Sequence, residues 1–128
     1  MNCKFAHSNL TVTDLNRSVN FYKAALNLRE HRRKDFGNCI MVYLRGDNDD
    51  FELELKKEKA GDKKIKLGDN PTHTAFVVDD YDAALELHKS INCIDFIHVG
   101  GMHFIKDPDG YSLEIMSKNF LESISAED

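Results

Sequence analysis

The feature that most limits how this chain can fold is an internal repeat. HSNLTVTDLNRSVNFY at 7 to 22 lies over HTAFVVDDYDAALELH at 73 to 88 without a gap, at a constant offset of 66 residues, so that His7 falls on His73 and Asp14 on Asp80. Self-similarity of this kind means two copies of one supersecondary unit. Each copy opens with a strand rich in Val, Thr and Phe, passes through an Asp suited to cap a helix, and continues as an amphipathic helix. The apolar stripe is Leu15, Val19, Tyr22 and Leu26 in the first helix and Tyr81, Leu85, His88 and Ile91 in the second. Strand candidates follow in both copies: LREHRRKDF, NCIMVYLR and FELELKK in the first, NCIDFIHV, MHFIK and YSLEIM in the second. The expected order is β-α-β-β-β, twice, an α+β fold. Residues 58 to 70, with Gly61, Gly68 and mixed charge, read as the polar linker between repeats of about 3 to 57 and 71 to 116 in one domain spanning 1 to 128.

With 128 residues, 41% hydrophobic and 30% charged, the chain can bury one respectable core. It contains no apolar run near the length of a membrane span and no greasy N-terminal leader, so a cytoplasmic protein without membrane association is expected. Cys3, Cys39 and Cys93 are an odd number at no metal-like spacing, which suits buried or incidental thiols. A net charge of -5 with interspersed signs argues against nucleic acid as a partner. KKEKAGDKKIKL at 56 to 67 has six lysines and no aromatic residue, and reads as solvated linker.

Within the repeat, histidines and glutamates recur in register. Asp107-Pro108-Asp109-Gly110 predicts a tight turn, after which Tyr111, Leu113 and Ile115 alternate with Ser112, Glu114 and Met116. Phe51, Leu53 and Leu55 alternate with Glu52, Glu54 and Lys56 in the same way, which makes Glu54 the counterpart of Glu114. His7 and His73 each stand on the polar or small-residue face of a first strand. A single His on a strand is usually structural, and a single Glu in such an alternation usually faces water. Two of each at equivalent places call for another reason, and a divalent metal is the strongest partner a buried carboxylate can have.

HSNLTVTDLNRSVNFY, HTAFVVDD and above all DPDGYSLEIM resemble glyoxalase I (lactoylglutathione lyase) of the vicinal oxygen chelate superfamily, over residues 5 to 116. The resemblance implies one divalent metal held by His7, Glu54, His73 and Glu114, with nickel or cobalt favoured over zinc, and a homodimer. It also implies a reaction: the hemithioacetal of methylglyoxal and a thiol, glutathione in the family, becomes the S-lactoyl thioester by proton transfer through an enediolate. Two imidazoles and two carboxylates balance a dication and leave two octahedral positions for a bidentate substrate. Glu114 is the expected base, with its mate Glu54 as the other candidate.

The sequence departs from the family where the thiol is held. Glutathione-using bacterial members have Arg four residues after the first His and Asn four residues after the first Glu; here these are Thr11 and Glu58. Losing an Arg partner for a carboxylate removes about 1.5 to 3 kcal/mol. Lys56, Lys57, Lys59, Lys63, Lys64 and Lys66, or Arg32, Arg33 and Arg45, are the cations available to compensate. Competing readings are another metal-dependent superfamily member, such as an acyl-CoA epimerase or a fosfomycin-type thiol transferase, and a metal-free small-molecule binder, which would have no need of the four ligands. His31, His88, His98 and His103 are expected to serve packing or surface roles, and SKNFLESISAED to form a short terminal helix or fray.

Overall fold

A computed structural model describes residues 1–61, 64–69 and 72–126. Residues 62, 63 and 70 of the expected linker, Lys63 among them, and residue 71 at the start of the second repeat lie outside the described residues. The chain divides into two compact units, Met1–Lys66 and Leu67–Asp128. The first contains β1 (His7–Thr11), α1 (Leu15–Leu26), β2 (Arg29–Asp35), β3 (Cys39–Arg45) and β4 (Glu52–Glu58). Its sheet runs β1-β4-β3-β2, with β1 parallel to β4 and the other pairs antiparallel. The second contains β5 (His73–Val78), α2 (Tyr81–Ser90), β6 (Ile94–His98), β7 (Met102–Lys106), β8 (Ser112–Ser117) and a terminal α3 (Lys118–Ser125). Its sheet order, β5-β8-β7-β6, repeats that of the first, again with only the first pair parallel. The β-α-β-β-β order expected from the repeat is present twice.

Both main helices start where the aspartates stand. Asp14 accepts from Arg17 N–H at 3.0 Å and Asp80 from Ala83 N–H at 3.1 Å, each satisfying a donor that the first helical turn leaves without a partner. Asn27 closes α1 in the left-handed region, at φ 54, which Asn tolerates better than most residues.

The buried faces correct the expected stripes. In α1 they are Leu15, Ser18, Tyr22 and Ala25, with Val19 and Leu26 only half-buried. Both sets fit helical spacing and share Leu15 and Tyr22, with the small Ser18 and Ala25 buried in place of Val19 and Leu26. Beneath α1, Val42, Leu44, Leu53 and Leu55 are almost fully buried and form the first core. In α2 only His88 is fully buried, and Ile91 lies exposed at the helix end instead of continuing the stripe. Ile105, Leu113 and Ile115 are wholly buried in the second unit, together with His88 and His103.

The turn before β8 forms as its composition predicts. Asp107 Oδ1 accepts from the N–H groups of Asp109 and Tyr111, both at 2.9 Å, and Gly110 takes φ +89. Between β6 and β7, Gly101 has φ +93, and a Cβ there would meet Ser117 Oγ at 2.5 Å. Ser117 itself caps α3 by accepting from Phe120 N–H at 3.0 Å. The outer strand β2 is exposed along its whole length. No helix among the described residues is long and apolar enough to cross a membrane.

Candidate metal centre

In the first unit the two-residue period puts His7 and Asn9 of β1 on the same face as Glu52 and Glu54 of β4. Register sets Asn9 opposite Glu54 and His7 opposite Glu52, so His7 reaches Glu54 diagonally, with Nε2 3.5 Å from Oε2. Glu54 is buried, its side chain 8% exposed, while His7 is 42% exposed. The other carboxylate oxygen, Oε1, accepts from Asn9 Nδ2 at 2.7 Å. The Tyr43 hydroxyl donates to the Met41 sulfur at 3.7 Å and stands near enough to the Glu54 carboxylate for that group to act as a second acceptor. Arg32 lies over the Tyr43 ring, 3.6 Å from its centroid. Burial raises the Glu54 carboxyl, but the hydrogen bonds from Tyr43 and Asn9 and the charges of His7 and Arg32 outweigh it, and the net direction is down. The same hydrogen bond, with burial, pushes the Tyr43 phenol up.

In the second unit, His73 of β5 and Glu114 of β8 repeat the pair, with Nε2 3.7 Å from Oε1. The side chain of Glu114 is 15% exposed and that of His73 48%. The surroundings are different. Ala75 stands opposite Glu114 on one side and Phe104 on the other. The His73 ring meets the Phe104 ring edge-on at 5.2 Å, and Phe96 stacks on Phe104 at 4.8 Å. Among the described residues no side chain donates a hydrogen bond to Glu114.

The structure therefore brings the four expected residues together as two pairs, one per unit. Ligands about 2.1 Å from one ion and at right angles to each other stand about 3 Å apart, so each pair needs to close by less than an ångström to share a metal. Each offers one imidazole nitrogen and one carboxylate oxygen, with the histidine open to solvent, a donor set that suits a divalent ion. Neither pair is a site alone, and among the described residues no group of three or more His, Cys, Asp or Glu comes together.

Sequence reasoning missed the residues around the first pair. Asn9 was signalled, since it follows His7 by two positions on the same strand face. Glu52 was not: it is buried, with His31 Nδ1 at 3.0 Å, an Arg32 nitrogen at 3.1 Å and an Arg45 nitrogen at 3.7 Å. Burial raises its carboxyl, and the hydrogen bonds from Arg32 and His31 with the charges of Arg32 and Arg45 bring it down overall. A register shift between Glu30 and Arg32 lets adjacent residues reach one carboxylate, and strict alternation does not foresee a bulge. Several cations named as compensators for the thiol are thereby engaged: Arg32 and Arg45 with Glu52, Arg33 with Glu30, Lys59 with Asp35, and Lys56 with Glu58. Thr11 and Glu58 border a small hollow of the first unit with Thr13, Lys57 and Ile65.

Residues 4–115 match the model of the Glyoxalase/Bleomycin resistance protein/Dioxygenase superfamily. The chain belongs to this superfamily. A lactoylglutathione lyase of Neisseria meningitidis is 29% identical over 125 residues, covering 90% of this chain and 91% of the relative. Among solved structures, the trypanothione-dependent glyoxalase I of Leishmania major superposes with a TM-score of 0.86 at 26% identity, over 97% of this chain and 93% of that one. The fosfomycin resistance protein FosX of Mesorhizobium loti shares the fold, with a TM-score of 0.75 at 17% identity over 98% of this chain and 100% of that one. The glyoxalase I resemblance, with the superfamily fold it implies, and the α+β arrangement expected from the repeat thus hold.

Proposed function

We propose that this protein is a lyase of the glyoxalase I type, converting the hemithioacetal of methylglyoxal and a thiol to the S-lactoyl thioester. The observation that carries this reading is the repeated His–Glu pair, His7 with Glu54 and His73 with Glu114, each at near-ligand separation. Together the four residues hold one divalent metal, nickel or cobalt in preference to zinc, either within a chain or across a homodimer. When bound, such an ion supplies a Lewis acid that lowers the cost of removing a proton from the carbon beside a carbonyl.

The chain's own residues do the rest. His7 and His73 present Nε2 as the ligating nitrogen, the atom turned to the neighbouring glutamate in each pair. Glu114 takes the carbon-bound proton and returns it to the adjacent carbon, which needs a carboxylate able to turn between two positions. Glu54 is its positional mate and the alternative base. Glutathione is the thiol suggested by the Neisseria relative, although Thr11 and Glu58 grip a carboxylate less well than Arg and Asn. We place the enzyme in the cytoplasm, in keeping with its free cysteines.

Metal-loaded protein assayed with methylglyoxal and a panel of thiols, glutathione and trypanothione among them, should form a thioester with at least one. Absence of thioester with every thiol, alongside epimerisation of an acyl-CoA or thiol addition to fosfomycin, would assign the chain to another activity of the superfamily. A fully active monomer at micromolar concentration would exclude a cross-chain site.

A further inference from the structure

The two His–Glu pairs are equivalent by position and unequal by environment, and the inequality follows one row of each sheet. In the first sheet the row reads Asn9, Glu54, Tyr43, Arg32. In the second it reads Ala75, Glu114, Phe104, Phe96. Each of the three donors in the first row, Asn9, Tyr43 and Arg32, is replaced in the second by a side chain with nothing to donate. Asn for Ala, Tyr for Phe and Arg for Phe all act in the same direction.

The atoms around Glu54 show what the row does. Asn9 occupies Oε1 at 2.7 Å, and His7 Nε2 stands 3.5 Å from Oε2. One oxygen is anchored within the protein and the other is turned towards the partner ligand. Rotating the carboxylate would break the hydrogen bond from Asn9 and draw it away from the Tyr43 hydroxyl, whose ring is packed under Arg32 at 3.6 Å. Glu114 has no such anchor: its neighbours are a methyl group and an aromatic ring, and its rotation breaks no hydrogen bond among the described residues.

We propose that Asn9, Tyr43 and Arg32 are positioning residues that fix the Glu54 carboxylate as a permanent metal ligand through Oε2, and that their absence around Glu114 leaves that carboxylate the one free to turn. This rests on the metal-site reading above. Hydrogen bonds that orient a ligand from outside commonly change metal affinity by about 10- to 100-fold when removed. A purely structural role is the competing account, because a buried carboxylate needs partners whether or not it binds metal.

The test copies the second row into the first and the first into the second. Asn9→Ala and Tyr43→Phe reproduce Ala75 and Phe104, and the double variant Ala75→Asn with Phe104→Tyr builds the anchor around Glu114. The readouts are the rate of cobalt loss to a chelator, the visible absorption of the cobalt-loaded protein, the melting temperature of the metal-free protein, and kcat with KM. Asn9→Ala and Tyr43→Phe should each speed cobalt loss by about 10- to 100-fold and alter the cobalt spectrum. The double variant should slow cobalt loss and lower kcat at nearly constant KM. If the single variants lower only the metal-free melting temperature and leave cobalt loss and spectrum as in the parent, the positioning role is overturned. A double variant with unchanged cobalt loss and kcat overturns it independently, since that protein keeps the first row intact. Failure of the underlying reading looks different: the parent protein takes up no cobalt, or Glu54→Gln binds it unchanged.

Discussion

His88 Nδ1 lies 2.8 Å from His103 Nε2 inside the second unit, and both histidines are wholly buried. His103 Nδ1 continues the chain to the Tyr81 hydroxyl at 2.9 Å. By repeat position His88 stands where the first unit has Tyr22, and His103, paired with Ile115, stands where Val42 pairs with Leu55. A polar thread thus occupies what is apolar packing in the other copy. Burial, aided by the neighbouring His88, pulls His103 from 6.5 to about 4. The folded value lies below the unfolded one, so the unfolded chain takes up this proton first. Stability from the neutral ring is complete above pH 6.5 and declines as pH falls towards 4, by at most about 3 kcal/mol. Glu52 and Glu54, lowered from 4.5, lose their contribution only below that value, so the interval from pH 6.5 to 4.5 isolates His103. Urea unfolding across that interval should show the decline in the parent and a flatter profile in His103→Val.

Ser18 is wholly buried, and its hydroxyl has no hydrogen-bond partner among the described residues. Ser18→Ala removes an uncompensated polar group and improves helix propensity, and should stabilise the protein by about 1 kcal/mol. The melting temperature of metal-free protein is the check; a lower value would mean that the hydroxyl is satisfied in solution.

Stripping divalent metal should abolish turnover, and nickel or cobalt should restore it better than zinc. Glu54→Gln and His73→Ala should each weaken metal binding, measured as metal retained after dialysis. Metal content equal to the parent in both variants would dismiss this ligand set.

Glu114→Gln should keep much of the metal while kcat per bound metal falls by about two to four orders of magnitude at nearly constant KM, the pattern of an interaction made in the transition state. Exchange of the substrate's carbon-bound proton into deuterated water should fall in parallel. If Glu54→Gln shows this loss and Glu114→Gln does not, the base belongs to the first repeat.

The repeat and its two-residue alternation made the strand order and the His–Glu pairs legible, because offset and period are properties of sequence. Helix contact faces were less so: Leu15, Ser18, Tyr22 and Ala25 obey the same periodicity as Leu15, Val19, Tyr22 and Leu26, and only packing against the sheet chooses between them. The Glu52 network escaped notice because it depends on the irregularity at His31. The buried pair of His88 and His103 joins a helix to a strand across fifteen positions, and no local pattern announces such a meeting.

The sheet margins carry a consequence for how the protein behaves in a crowd. An unpaired outer strand is a template on which other chains can polymerise, and proteins blunt it with charge or with a kink. Along β2 all seven side chains are ionisable and exposed, so a second strand arriving there meets a fence of charge. The outer strand β6 exposes Phe96 and Ile97 instead, but its register breaks between Ile94 and Phe96, and Asp95 is tied to Lys106 at 3.8 Å. One margin repels and the other offers no straight ladder. Replacing Arg29, Glu30, Arg33, Lys34 and Asp35 with branched apolar residues, while keeping His31 on Glu52 and Arg32 over Tyr43, would turn that margin into a seam for fibre growth.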